Sequence, residues 1–137
     1  MALIQSDNSR QIDVLGDTPQ ALTDTFVDIG TEINTRGYNK MLVWVNIDIG
    51  DSTNVQLRAL AKTTLDAGVL EWEYPIYTVG TTDVGVEGSY YEWTTDEDQL
   101  TILEVSLKGL IPIIQLQVKA AANQTTGTID NLFVHLI

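Results

Sequence analysis

Residues 38–63, YNKMLVWVNIDIGDSTNVQLRALAKT, form two runs of alternating apolar and polar residues joined by an acidic, glycine-containing turn. Successive side chains of a β-strand point to opposite faces. A period of two therefore places Met41, Val43, Val45, Ile47 and Ile49 on one side and Leu42, Trp44, Asn46 and Asp48 on the other. In the second run Val55, Leu57, Ala59 and Ala61 face inward, and Gln56, Arg58 and Lys62 outward. Gly50, Asp51, Ser52 and Thr53 between them supply turn chemistry, so the expectation is a β-hairpin forming part of one face of a β-sandwich.

A chain of 137 residues fits one domain, and at that size roughly two-thirds of the unfolded surface is buried on folding, so no covalent staple is needed. The cysteine count of zero agrees. It removes disulfides, thiolate metal sites, iron–sulfur clusters and cysteine nucleophiles together. The opening MALIQSDNSR lacks a basic start followed by an apolar stretch, and no apolar run approaches the roughly 20 residues that span a bilayer. The expectation is a soluble chain, unsecreted by the usual route, with no membrane partner. Nineteen acidic residues against seven basic ones give a formal charge of −12. Such a charge keeps a protein dispersed and repels phosphate backbones, so nucleic acid is not expected as a partner.

Along the chain, residues 1–18 are polar with scattered apolar positions and read as an N-terminal arm or edge segment. Residues 19–137 read as a single β-sandwich domain. ALTDTFVDIG at 21–30 is the first expected strand, carrying Phe26, Val27 and Ile29, and a turn cluster at 34–37 follows it. VLEWEYPIYTV contains Pro75, which cannot donate to a ladder and so marks an edge strand. GTTDVGVEGS reads as a long glycine-rich loop, SYYEWTT as a short strand, and Asp96, Glu97 and Asp98 as a turn. QLTILEVSLKG and IPIIQLQVKAAA both alternate, and IDNLFVHLI ends the chain as a last strand. The sum is an all-β, antiparallel sandwich of about eight strands, for which a jelly roll is the first choice among jelly roll, other sandwich and closed barrel.

Reactive constellations are thin. His135 stands alone in the terminal strand and reads as a packing or edge residue, because acid–base work requires a positioned partner. No Gly-x-Ser-x-Gly elbow and no lysine-bearing phosphate loop is present. Glu71 and Glu73 share one face of a strand, which is the arrangement of a solvated surface more than of a glycosidase pair. The turn Asp48, Gly50, Asp51, Ser52, Asn54 offers oxygen ligands for a calcium ion, but lacks the EF-hand spacing and closing glutamate. No enzyme activity and no cofactor are expected.

Aromatic residues are concentrated. Trp72, Tyr74 and Tyr77 lie in one segment and Tyr90, Tyr91 and Trp93 in the next beyond the glycine-rich loop. If the two segments pair, the rings interleave with Glu71, Glu73 and Glu92 to make an interface or ligand platform, since aromatic side chains bury large area at little rotamer cost. The competing reading puts half of these rings in the core.

The stretch FVDIGTEINTRGYNKMLVWVNIDIGDSTNVQLRALAK and the C-terminal IPIIQLQVKAAANQTTGTIDNLFVHLI resemble small all-β virion proteins of tailed bacteriophages and their prophages. The resemblance rests on a turn made by Asn34, Thr35, Arg36, Gly37 and Tyr38 leading into the long alternating run, and on Pro112, Gln115 and Gln117 in the C-terminal half. It implies a structural component of the phage particle, a head decoration or cementing protein. Such a protein is made in the host cytoplasm and binds the outside of the capsid as a homo-oligomer, a trimer by analogy. Its partners would be copies of itself and the major capsid protein. The alternative is a carbohydrate- or receptor-binding sandwich module of a tail or cell surface.

Overall fold

The structure is a computed structural model that describes residues 9–52, 54–62, 71–78, 90–94, 100–107, 113–121 and 126–137, with the side chains of Glu71, Trp72 and Tyr77 outside the description. The regular elements of the described residues are all strands. They are β1 (Arg10–Asp13), β2 (Gln20–Ala21), β3 (Val27–Asp28), β4 (Ile33–Asn34), β5 (Lys40–Asp48), β6 (Val55–Lys62), β7 (Glu71–Tyr74), β8 (Tyr77–Thr78), β9 (Tyr90–Trp93), β10 (Leu100–Ser106), β11 (Ile113–Ala120) and β12 (Thr128–Leu136).

Pairing is antiparallel throughout and nested. β1 pairs with β12, β3 and β4 with β11, β5 with β10, and β6 with β7 and β9. Each early strand thus meets a late one, working inward from the two ends of the chain to its middle. β12 also pairs with β5, and β11 with β6, which joins these pairs into two sheets. Sheet A runs β1, β12, β5, β10, β8, with β2 also on β12; sheet B runs β3, β11, β6, β7, with β4 on β11 and β9 on β6. This nesting is jelly-roll topology, so the expected all-β antiparallel sandwich is what the chain forms.

The expected hairpin at 38–63 is not formed. β5 lies between β12 and β10 in sheet A, whereas β6 lies in sheet B, so the turn carries the chain from one sheet to the other as an arch. Turn chemistry and alternation are common to hairpins and arches: the period of two says which face is dry and leaves the neighbouring strand open. Within the turn Gly50 N donates to Asp48 Oδ1 at 2.9 Å and Ser52 N to Ile49 O at 3.0 Å. Asp51 N donates to Thr126 Oγ1 at 3.0 Å, and that hydroxyl donates back to Asp51 Oδ1 at 2.6 Å. A Cβ on Gly127 would stand 2.6 Å from Leu22 Cδ1 and 2.7 Å from the Asp48 and Ile49 carbonyl oxygens, so glycine is what lets this arch and the start of β12 touch.

Two other expectations change. The strand expected at 21–30 is two short pieces, β2 on sheet A and β3 on sheet B, because the chain changes sheets between them; there the Thr23 hydroxyl donates to Thr25 O at 2.8 Å. The segment around Pro75 is likewise split, β7 at the edge of sheet B and β8 at the edge of sheet A, which suits a residue without an N–H. The loops at 65–68, 80–89 and 96–98 lie outside the described residues.

The core lies between the sheets. Met41, Val43, Val45 and Ile47 of β5 face Val55, Leu57, Ala59 and Ala61 of β6, all 0–1% exposed, with Leu103 and Val105 of β10 and Ile114, Leu116 and Val118 of β11 beside them. Fully burying each valine, leucine or isoleucine contributes about 1.5–3 kcal/mol. In β12 a bulge between Ile129 and Asn131 shifts the register, so that Ile129, Leu132, Val134 and Leu136 are buried while Phe133 and His135 turn outward.

Candidate interaction surface

Three rows of outward residues cross the middle of sheet A, between an outer row of Lys40 and Ser106 and one of Asp48 and Thr128. Phe133, Trp44 and Ile102 are cross-strand partners in β12, β5 and β10, with Asp13 of β1 beside Phe133. One row along the strands lie Gln11, His135, Leu42 and Glu104, and on the other side Asn131, Asn46 and Leu100. The middle row is an apolar stripe through the centre of the sheet. Leu100 is 54% exposed and Phe133 43%, while Trp44, Ile102, Leu42 and His135 are half-buried. An open depression of about 350 Å³ is lined by Gln11, Trp44, Leu100, Phe133, Val134 and His135. Apolar side chains gathered and exposed on an outer face are the usual mark of a contact surface.

The outer face of sheet B is built oppositely. Arg58 Nε donates to Gln117 Oε1 at 2.9 Å, Gln117 Nε2 donates to Asp28 Oδ1 at 2.7 Å, and Arg58 also lies 3.7 Å from Glu73. The Arg58 guanidinium sits 3.8 Å from the centre of the Phe26 ring, with Lys119 Nζ 5.0 Å from the same ring. Lys62 pairs with Glu32 at 3.4 Å, and Glu92 Oε2 accepts from Gln56 and Asn54 at 3.0 and 3.2 Å. This face spends its polar groups on itself.

The aromatic residues singled out by the sequence do not form one platform. β7 and β9 do not pair with each other; both lie along the same edge of β6, β7 opposite Ala59 to Lys62 and β9 opposite Val55 to Arg58. Trp93 is 2% exposed, and its Nε1 donates to Thr101 Oγ1 of β10 at 3.0 Å, bridging the two sheets through the core. Tyr91 meets Trp93 edge-on with ring centres 4.8 Å apart, and Tyr74 and Tyr91 pack against the core. Burial raises the Tyr74 hydroxyl above its ordinary value of 10.0. Tyr90 is half-buried, opposite Arg58. The side chains of Trp72 and Tyr77 lie outside the described residues.

The remaining candidates have local roles. Asp48 and Asp51 accept hydrogen bonds within the arch, and among the described residues no three His, Cys, Asp or Glu side chains group to hold a metal. Glu73 faces Arg58, and the side chain of Glu71 is not described. The residues that carry the family resemblance are structural. Asn34 Oδ1 accepts from Arg36 N at 3.1 Å, Tyr38 N donates to Thr35 O at 3.2 Å, and Gly37 at φ +86° completes a tight turn into β5. Gln115, 3% exposed, donates through Nε2 to Leu116 O at 3.0 Å and Ile29 O at 3.4 Å, pinning the chain after β3 onto β11. Pro112 lies outside the described residues.

Sequence reasoning placed Leu42 and Trp44 outward and drew nothing from it. The available signal was that the outward half of the alternation in β5 is itself apolar, as it is at Leu100 and Ile102 of β10.

Fold and surface together define a jelly-roll domain with one outer face closed by its own polar contacts and one crossed by an apolar stripe. No family model and no curated protein matches this chain. Among solved structures it is similar to the crystal structure of the SPBc2 prophage-derived protein YomS, over 99% of this chain and 98% of that one, with a TM-score of 0.57 and 13% sequence identity. At that identity the likeness is one of fold.

Proposed function

We propose that this chain is a non-enzymatic structural component of a tailed-phage particle, a decoration or cementing protein that sits on the outside of the head as a homo-oligomer, with the major capsid protein as its second partner. The observation that carries the reading is the end-to-end likeness in fold to a prophage-derived protein, with 99% of one chain aligned on 98% of the other. Two further features support it. A coat component needs a rigid scaffold with an adhesive face, and the jelly roll holds the stripe of Phe133, Trp44 and Ile102 on such a face. A formal charge of −12 suits a position facing solvent and opposes one against packaged DNA. The glycan-binding alternative is less well supported, because Tyr74, Tyr91 and Trp93 turn toward the core.

The test is to induce a lysogen that carries the gene, purify particles on a density gradient, and assay them by mass spectrometry and immunogold labelling. The expected result is stoichiometric recovery with particles and label on heads. Recovery only in the soluble fraction would overturn the reading, and label confined to tails would overturn its head assignment.

A further inference from the structure

We propose that the free edge of β1 takes an extended segment of a different protein as an added antiparallel strand, laid in the cleft between the two sheets. The inference goes beyond the phage assignment and does not depend on it.

Hydrogen-bond parity identifies the open groups. In an antiparallel ladder alternate residues turn both backbone groups toward one neighbour. Ile137 and Lys40 exchange N–H···O bonds at 3.0 and 3.1 Å, so Ile137, His135 and Phe133 bond to β5, and Leu136, Val134 and Leu132 are left for β1. Val14 N accordingly donates to Leu132 O at 3.0 Å. Counting back along β1, Ile12 and Arg10 bond to β12, and the N–H and C=O of Gln11 and Asp13 point away from it. β1 is the outermost strand of sheet A on this side, and among the described residues no backbone group reaches those of Gln11 and Asp13.

The edge opens onto a cleft. A cavity of about 230 Å³ lies between β1 and residues 31–34, lined among others by Arg10, Ile12, Asp13, Glu32, Ile33 and Asn34. Arg10 and Ile12 lie opposite the buried Leu136 and Val134, so they share the inner side of the sheet, whereas Gln11 and Asp13 share its outer side. The far wall is β4, an edge strand of sheet B. The open groups of Gln11 and Asp13 repeat at about 6.8 Å along the strand, the spacing at which alternate residues of another strand present theirs. A strand bonded to them places every second side chain against Ile12 and Ile33.

Charge selects the sequence of the occupant. A chain of −12 repels a second copy and draws a basic segment. Asp13 is exposed at one end of the edge. Across the cleft Glu32 Oε2 is buried 3.4 Å from Lys62 Nζ and accepts no hydrogen bond among the described residues. Arg10, exposed at the other end, forms no ion pair among the described residues. An antiparallel occupant therefore carries a cation opposite Asp13, an apolar residue opposite Ile12 and an anion opposite Arg10. So short an edge binds an isolated segment weakly, with Kd about 0.1–1 mM.

Heteronuclear NMR of the full chain, titrated to about 5 mM with the capped peptide TKKVTET, tests this against the sign-reversed peptide TEEVTKT. The expected result is a saturable shift and slowed hydrogen exchange at the amides of Gln11 and Asp13, with TEEVTKT at least about fivefold weaker. Gln11→Pro deletes an N–H that points off the sheet and keeps the β12 ladder, so it should fold and bind TKKVTET at least about fivefold more weakly. Asp13→Asn, which keeps an oxygen for the bond from Gly16 N, should weaken TKKVTET as well and serves if the proline variant does not fold. Amides of Gln11 and Asp13 already protected in the chain alone, no saturation with TKKVTET, equal binding of the two peptides, or a folded variant that binds like the wild type would each overturn the proposal. Peptide binding at this edge by a protein absent from particles would overturn the phage reading alone.

Discussion

The two outer faces of this sandwich share a fold, a strand count and a solvent, and they differ in what their side chains touch. On sheet B, Arg58 is held by Gln117, Glu73 and the ring of Phe26, and Glu92 by Gln56 and Asn54, so the surface is closed on itself. On sheet A, Phe133 and Leu100 lie 43% and 54% exposed around a depression of about 350 Å³. Polar networks on an exposed sheet stabilise the chain that carries them. Exposed apolar rows add little to that chain's own stability, and their free energy becomes available only on contact. The comparison separates a face closed by its own polar contacts from one that leaves apolar side chains exposed.

The largest expected effect falls on the core that both faces share. Trp93→Ala removes a fully buried indole and its hydrogen bond to Thr101, and urea unfolding should show a loss of about 3–5 kcal/mol. A loss near zero would mean that the two sheets are not joined as described. Next is sheet B: Arg58→Ala forfeits the Gln117 bond and the Phe26 contact, at a cost of about 1–2 kcal/mol. Its exposed ion pair with Glu73 adds little.

A smaller effect is pH-dependent. Burial raises the pKa of Tyr74 in the folded chain, so the unfolded chain loses this proton first as pH rises. The native state then binds more protons than the unfolded one, and stability present below pH 10 declines as pH climbs through the folded value. Denaturation midpoints at pH 9 and above pH 10 should show this decline reduced in Tyr74→Phe. The smallest stability effect belongs to sheet A. Phe133→Ser should move the unfolding free energy by no more than about 0.5 kcal/mol. A Phe133→Ser that destabilises more than Arg58→Ala would reverse the assignment of the two faces.

Much of this was readable in the chain. Alternation in β5, β6, β10 and β11 gave the dry faces correctly, because each of these strands is long enough to carry a period. Connectivity was not readable. β2, β3, β4 and β8 are two residues each and have no period, and an arch and a hairpin use the same turn residues. The bulge between Ile129 and Asn131 hid the orientation of the last strand, and with it the outward position of Phe133. The rings of β7 and β9 drew attention by their density, yet density does not tell inward from outward. Tyr74, Tyr91 and Trp93 turned inward because they lie opposite Ala59, Leu57 and Val55 of β6, whose parity points to the core.

The central claim, that sheet A leaves apolar side chains exposed while sheet B covers its own, is tested most directly by hydroxyl-radical footprinting of the wild-type chain. The account expects Phe133, 43% exposed, to be oxidised faster than Phe26, whose ring lies against Arg58 and Lys119. Faster oxidation of Phe26 than of Phe133 would contradict it.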